Sequence, residues 1–175
     1  GDLKTVTTEV YSNGQWVSLG TQYMRYYTDA ERLHRLKSLL DAEAYARLAA
    51  DPEVADPLTA TDAQVEQYAS LFLDYDANGH MSTRRPLGGS QSTFSYQDGS
   101  TTSSDFNEYH REVVETRSDG RVDTRYTNFL NQPLLEETAA SAATLEYREY
   151  NSDGHMTLHA TPSALAGYSL DGYEI

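Results

Sequence analysis

Two copies of Gly-His-Met, at 79–81 and 154–156, put an imidazole directly behind a turn glycine. With His159 four residues past His155, these side chains are the sequence's best prospect for sharing a cation. Metal sites built on imidazole use tight spacings such as HExxH, and none occurs here, so no metal ligand is assigned. The plainer reading places His80 and His155 at the surface of a β-ribbon, each stacked on a neighbouring tyrosine. Carboxylate pairs are the second prospect. Glu136-Glu137 and Asp74/Asp76 could act as acid and base in glycoside hydrolysis. In a chain with 27 acidic residues such pairs arise by chance, and charge on solvated strands deters edge-to-edge aggregation. Gly88-Gly89 is followed by neither a helix pattern nor a lysine, which argues against a phosphate loop. No catalytic residue and no cofactor is assigned.

The tyrosines are the third prospect. Tyr23, Tyr26, Tyr27, Tyr96, Tyr109, Tyr126, Tyr147 and Tyr150 fall on strand-like runs, where cross-strand packing is worth about 0.2–1 kcal/mol per pair. Some of this aromatic surface could instead stack on sugar rings, which need flat apolar faces flanked by hydrogen-bonding groups. Trp16, Tyr126, Tyr147 and Arg125 form the candidate carbohydrate set, with Arg84, Arg121 and nearby asparagines around them.

The elements that must position these groups are mainly β. Residues 109–137 hold the clearest hairpin: Val114 and Thr116 alternate with charged neighbours, Asp119-Gly120 turns, and Val122, Thr124 and Tyr126 alternate on return. Asp-Gly between two such runs predicts a type I′ turn with positive φ at both residues. Residues 3–27 predict three strands, with Asn13-Gly14 as the first turn and Gly20 as the second break. The stretch 29–72 changes character and reads as a helical insertion. Asp41 caps a helix over 42–50, and Thr61 with Gln64 forms a capping-box pattern opening a second, over about 61–72, which hands over directly to a strand near 71–75. Residues 32–40 fit helix or strand. Beyond 73 the chain reads as consecutive hairpins to the end, with turns at Asn78-Gly79, Asp98-Gly99 and Asp153-Gly154. Residues 100–105 read as a polar connection, 138–143 as a loop or one helical turn, and 161–175 as a tail crossing the surface.

Composition bounds the partners. At 175 residues the chain is one domain or one segment of something longer. A net charge of -14 opposes binding to nucleic acid and to anionic membrane surfaces, whose phosphates would repel it. There is no cysteine, hence no disulfide framework and no thiolate chemistry. No apolar run approaches the ~20 residues of a membrane-spanning helix.

Aligned on their turns, Tyr11-Ser12-Asn13-Gly14, Tyr75-Asp76-Ala77-Asn78-Gly79 and Tyr150-Asn151-Ser152-Asp153-Gly154 share a tyrosine, a short polar stretch, a glycine and then a strand. Asp119-Gly120 carries the glycine half, and Tyr126 leads to Asn131 where glycine is expected. Asparagine tolerates the left-handed region, so that turn can survive. This pattern resembles the YD-repeat, or RHS-repeat, family, in which Tyr-Asp precedes a Gly-Arg-Leu-type strand; Tyr75-Asp76 with Gly79 matches best. Residues 120–129 are similar to a longer variant found in very large bacterial surface proteins, and the two helical stretches to insertions of that subgroup. The resemblance implies a β-ribbon wound into a spiralling sheet, often a hollow shell. It implies a secreted or cell-surface location, neighbouring repeats as partners, and strand edges open to self-association. Gly79 and Gly154 lie 75 residues apart, so the units are irregular and interrupted. Pro86-Leu87-Gly88 is similar to the end of self-cleaving family cores, but Arg85 stands where an acidic residue should precede the proline, and no proteolytic role is carried over. The expectation is therefore a structural module of residues 1–175 without catalysis of its own. A carbohydrate-binding module and a hydrolase are the alternatives.

Overall fold

A computed structural model describes residues 1–99, 102–139 and 143–170. The protein is mainly β, with antiparallel strands joined in sequence and two short helices after the third. It divides into two compact units, Gly1–Gln91 and Ser92–Ile175. Among the described residues no helix is long and apolar enough to cross a membrane.

In the first unit, β1 (Thr5–Ser12) and β2 (Gln15–Tyr26) form a hairpin closed by Asn13 and Gly14 at φ 51° and 81°. Positive φ at both central residues gives the turn a twist that matches the flanking strands. Gly20 does not end the strand, as its sequence suggested. The pairing passes from Thr8↔Gly20 to Glu9↔Ser18, leaving Leu19 as the extra residue of a bulge within one 12-residue strand. A Cβ at Gly20 would stand 2.5 Å from the Ala42 Cβ, so the bulge is where the first helix comes down on the sheet.

The ambiguous stretch 32–40 resolves into a turn followed by β3 (Leu36–Leu40), paired with β2. Helix α1 (Ala42–Ala50) follows, with Asp41 accepting from the Ala44 N–H at 2.9 Å. Helix α2 (Asp62–Tyr68) has both arms of the Thr61/Gln64 capping box. It stops at Tyr68, four residues short of the expected 72. Leu71 and Phe72 are taken into β4 (Leu71–Tyr75), which pairs with β3 and with β5 (Met81–Pro86). Two ladders and half-buried apolar side chains outweigh the weak gain of extending a seven-residue helix. The helical part of the insertion is thus 42–68, flanked by strands on both sides. Tyr23 and Leu40 from the sheet pack with Ala44, Leu48, Val54, Val65 and Ala69 into the core. Leu40, Leu48 and Val65 are fully buried, each worth about 1.5–3 kcal/mol over exposure.

The second unit orders β6 (Ser92–Asp98), β7 (Arg111–Arg117), β8 (Val122–Thr127), β9 (Pro133–Ala139), β10 (Thr144–Tyr150) and β11 (Met156–Ala160), each antiparallel to the next. Asp98-Gly99 is not a tight turn: Asp98 pairs with Arg111, and the connection is the long loop between them. Part of the expected 100–105 connection, residues 100 and 101, lies outside the described residues, as do 140–142 and 171–175. The core is Tyr109, Tyr126, Leu134, Leu135 and Tyr150, with Phe106 and Tyr147 against it. The tail lies over this apolar face, where Leu165 and Tyr168 meet Leu135, Leu145 and Tyr147 around a cavity of about 160 Å³.

Candidate functional site

Four turns share one hydrogen-bond frame. The Asp76 N–H donates to the His80 carbonyl at 2.8 Å, and the Gly79 N–H donates back to the Asp76 carbonyl at 2.9 Å. The same two bonds join Asn151 with His155 and Gly154, Asn128 with Gln132 and Asn131, and Arg117 with Arg121 and Gly120, at 2.9–3.0 Å. The fourth residue of each is left-handed: Gly79 at φ 80°, Gly154 at 76°, Gly120 at 88° and Asn131 at 59°. Asp119 does not share the positive φ of Gly120, so this is not the expected type I′ turn. Three residues between the paired Arg117 and Arg121 need one left-handed position, where a two-residue loop needs two.

The side chain that closes these turns stands three residues before the left-handed position. Asp76 Oδ1 accepts from the Asn78 and His80 N–H groups at 2.9 and 2.8 Å. Asn151 Oδ1 accepts from Asp153 and His155, and Asn128 Oδ1 from Leu130 and Gln132, at 2.9–3.0 Å. Sequence reasoning weighted the residue next to the glycine (Asn78, Asp119, Asp153) and missed Asn128 and Asn151. The readable signal was an Asp or Asn whose side chain can hydrogen-bond the backbone two residues on. At 117 the long cationic side chain offers no such oxygen, and Asp119 Oδ1 takes the Arg121 N–H instead at 3.0 Å.

Tyrosines anchor the turns to their neighbours. The Tyr150 hydroxyl donates to the Pro133 carbonyl at 3.0 Å, while its backbone exchanges two hydrogen bonds with the Asn107 side chain. In the first unit, Tyr27 meets Tyr75 edge-on at 6.1 Å, and its hydroxyl donates to Asp74 Oδ1 and to the Leu73 carbonyl, both at 3.0 Å. The Arg32 guanidinium lies 4.0 Å above the Tyr27 ring. Burial, then the Asp74 carboxylate, pushes the Tyr27 phenol well above its ordinary value.

The candidate sugar-binding residues are not gathered. Trp16 is 67% exposed at the tip of the β1–β2 hairpin, 5.2 Å from Tyr11. Tyr126 is buried at 4% exposure between Tyr109 and Tyr168. Tyr147 shares that apolar side, its phenol pushed up to about 12 by burial and by the charge of Glu149. Arg125 precedes Tyr126 in β8 and so faces the other side of the sheet, where it pairs with Glu136 at 2.6 Å.

That other side of the second unit is a ladder of ion pairs bordering a groove of about 390 Å³. Arg117 reaches Glu115 and Asp123, Arg125 and Arg148 converge on Glu136, and Arg148 and His159 share Glu146, all between 2.5 and 3.2 Å. Burial opposes ionisation of Glu136, but Arg148 and Arg125 prevail and hold its carboxyl below the ordinary value. Burial likewise opposes Asp123, Asp74 and Asp76, and hydrogen bonds from their neighbours leave all three lowered. A general acid needs the reverse shift. Glu137 points away from Glu136 and accepts from the Tyr168 hydroxyl at 3.0 Å, so this pair does not converge. Asp76 is consumed by its turn and Asp74 by Arg32 and Tyr27. Among the described residues no three His, Asp or Glu side chains are grouped to hold a metal ion. A second groove, of about 400 Å³, lies in the first unit, where Arg25 and Lys37 both reach Asp62, at 2.8 and 2.6 Å. Set beside known proteins, the sequence matches no family model and no curated protein.

Proposed function

We propose that this chain is a structural β-ribbon module, without catalytic activity of its own, of the kind that RHS-repeat proteins string into walls. One observation carries the reading: the same turn frame recurs at 76–80, 128–132 and 151–155, capped each time by an Asp or Asn side chain. Polar side chains near these turns are spent on holding the ribbon. The carboxylates that could have done chemistry are committed to arginines, to tyrosine hydroxyls or to backbone. Neighbouring repeats are then the partners, and a secreted or cell-surface location follows from the family pattern.

A second reading keeps one supporting observation, the exposed Trp16 beside Tyr11 with Ser12, Asn13 and Gln15 around it. A sugar ring could stack there without help from Tyr126, Tyr147 or Arg125. Trp16 is the sole tryptophan, so its fluorescence reports this site alone. The structural reading expects emission unmoved by a panel of oligosaccharides, and no glycosidase activity to be lost in Glu136→Gln. Saturable quenching by a saccharide would replace the wall reading with the sugar-binding one, and activity dependent on Glu136 would replace it with a hydrolase.

A further inference from the structure

In each unit one residue that follows a left-handed position reaches sideways to the next turn on the same side of the sheet. His34 stands at φ 65°, and the following Arg35 donates from Nη1 to the Gly79 carbonyl at 2.6 Å. Asn131 stands at φ 59°, and the following Gln132 donates from Nε2 to the Gly154 carbonyl at 3.0 Å. The donors differ in chemistry and agree in position. Each satisfies the carbonyl of a left-handed glycine.

Gly154 is itself left-handed, and the residue after it is His155. Its imidazole is exposed and makes no hydrogen bond among the described residues, while β11 ends the strand order with Met156 and Leu158 54% and 44% exposed. At the other end of the order, β1 also has no second neighbour among the described residues, and Val6, Val10 and Tyr11 on it are exposed. The hairpin carrying β1 is nearly neutral: Glu9 is the one charged residue between Thr5 and Met24, on a chain of net charge -14. That leaves it little subject to repulsion between copies.

We infer that the edge formed by His155 and β11 is an interaction surface for the β1–β2 hairpin of a second copy, with His155 donating to a carbonyl of its Asn13-Gly14 turn. Strand direction selects this occupant. Existing neighbours set a strand leaving one turn, such as β9, against a strand entering the next, such as β10. β11 leaves its turn, and β1 enters the turn at Asn13 and Gly14, both left-handed. A β11–β11 contact would bring the far end of the partner strand, not a turn, against His155. Two different surfaces meet, so the contact is heterologous and continues from copy to copy until it closes into a ring or runs on as a chain. The inference rests on the structural-module reading and adds a second copy of the chain to the neighbouring repeats which that reading names as partners.

Sedimentation velocity on the purified chain tests it, alongside cross-linking through single cysteines in this cysteine-free sequence. Association should grow with concentration beyond a dimer, weaken about threefold to tenfold in His155→Ala, the span of one hydrogen bond, and persist in His155→Gln, because Gln132 already does this work. A mixture of Thr157→Cys and Thr8→Cys proteins should cross-link to each other faster than either does to itself. A strictly monomeric chain, association indifferent to His155→Ala, or preferred self-cross-linking of Thr157→Cys would each overturn the inference. None of these results bears on the saccharide and glycosidase measurements, which judge the structural-module reading separately.

Discussion

The Arg35 guanidinium donates to the carbonyl oxygen of Gly79, 44 residues on, at 2.6 Å, and closes over the glycine so tightly that a Cβ there would lie 1.9 Å from Nη2. Two requirements thus meet at one residue, a left-handed backbone and space for a neighbour. Gly14 has the first requirement without the second, since, apart from its chain neighbours, none of the described residues lies within 4 Å of where its Cβ would stand. Gly14→Ala should therefore cost about 1 kcal/mol and Gly79→Ala about 2–3 kcal/mol, the excess being the displaced Arg35 contact. Urea unfolding of both variants measures the difference. Equal losses would mean that the guanidinium contributes nothing.

Asn128 separates the two halves of an amide. Its oxygen accepts two turn N–H groups, and its nitrogen donates to the Phe106 carbonyl at 3.0 Å and to Gln132 Oε1 at 2.9 Å, at 1% exposure. Asp76 holds the equivalent place with a carboxylate and accepts only. Asn128→Asp should nonetheless be destabilising by about 1–3 kcal/mol, because buried acceptors would face a carboxylate oxygen. Asp76→Asn should be nearly neutral in the same thermal melts.

Asp62 sets an acid limit for the first unit. Hydrogen bonds from Lys37, then Arg25, hold its carboxyl below the ordinary 3.8. A lowered folded value means a contribution present above pH 3.8 and lost as pH falls through that lower value. The carboxylate is 56% exposed, so the effect is only about 0.5 kcal/mol. Melts of Asp62→Asn should differ from wild type at neutral pH and converge with it in acid. A gap that widens in acid would contradict this.

Tyr147 sets an alkaline limit for the second. Its phenol is raised from 10.0 to about 12 by burial, then by Glu149. Its contribution is complete below pH 10 and disappears as pH climbs toward 12, because the unfolded chain ionises first. Tyr147→Phe should flatten the fall in melting temperature across that interval. An unchanged slope would place the alkaline loss on Tyr126, Tyr150 and Tyr168, whose phenols burial also raises.

Leu48 and Leu134, 0% and 1% exposed, carry the two cores. Truncation of either to alanine should cost about 2–5 kcal/mol. Hydrogen exchange should show Leu48→Ala loosening the amides of α1 and β3, and Leu134→Ala those of β9 and β10. A loss below about 1 kcal/mol in either would mean that the site refills.

What the amino-acid order determined by itself is local. Asn13-Gly14 specifies a two-residue reversal, Asp41 and Thr61 specify where helices begin, and Val and Thr alternation specifies the strands around Gly120. Each is written within a few residues, because φ preference and side-chain capping act at that range. Tertiary structure decided what depends on a partner far away in sequence. Leu36–Leu40 is a strand because β2 and β4 offer it ladders, and α2 ends at Tyr68 because Leu71 and Phe72 are worth more in a sheet. Tyr126 and Arg125, adjacent on a strand whose alternation is written in the sequence, face opposite sides by the pleat alone, so their separation is local. What tertiary structure added is that Tyr126 is buried against Tyr109 and Tyr168. Arg35 and Gln132 each found a glycine carbonyl on the next turn for the same reason: a donor's position is local, but its acceptor is supplied by another hairpin.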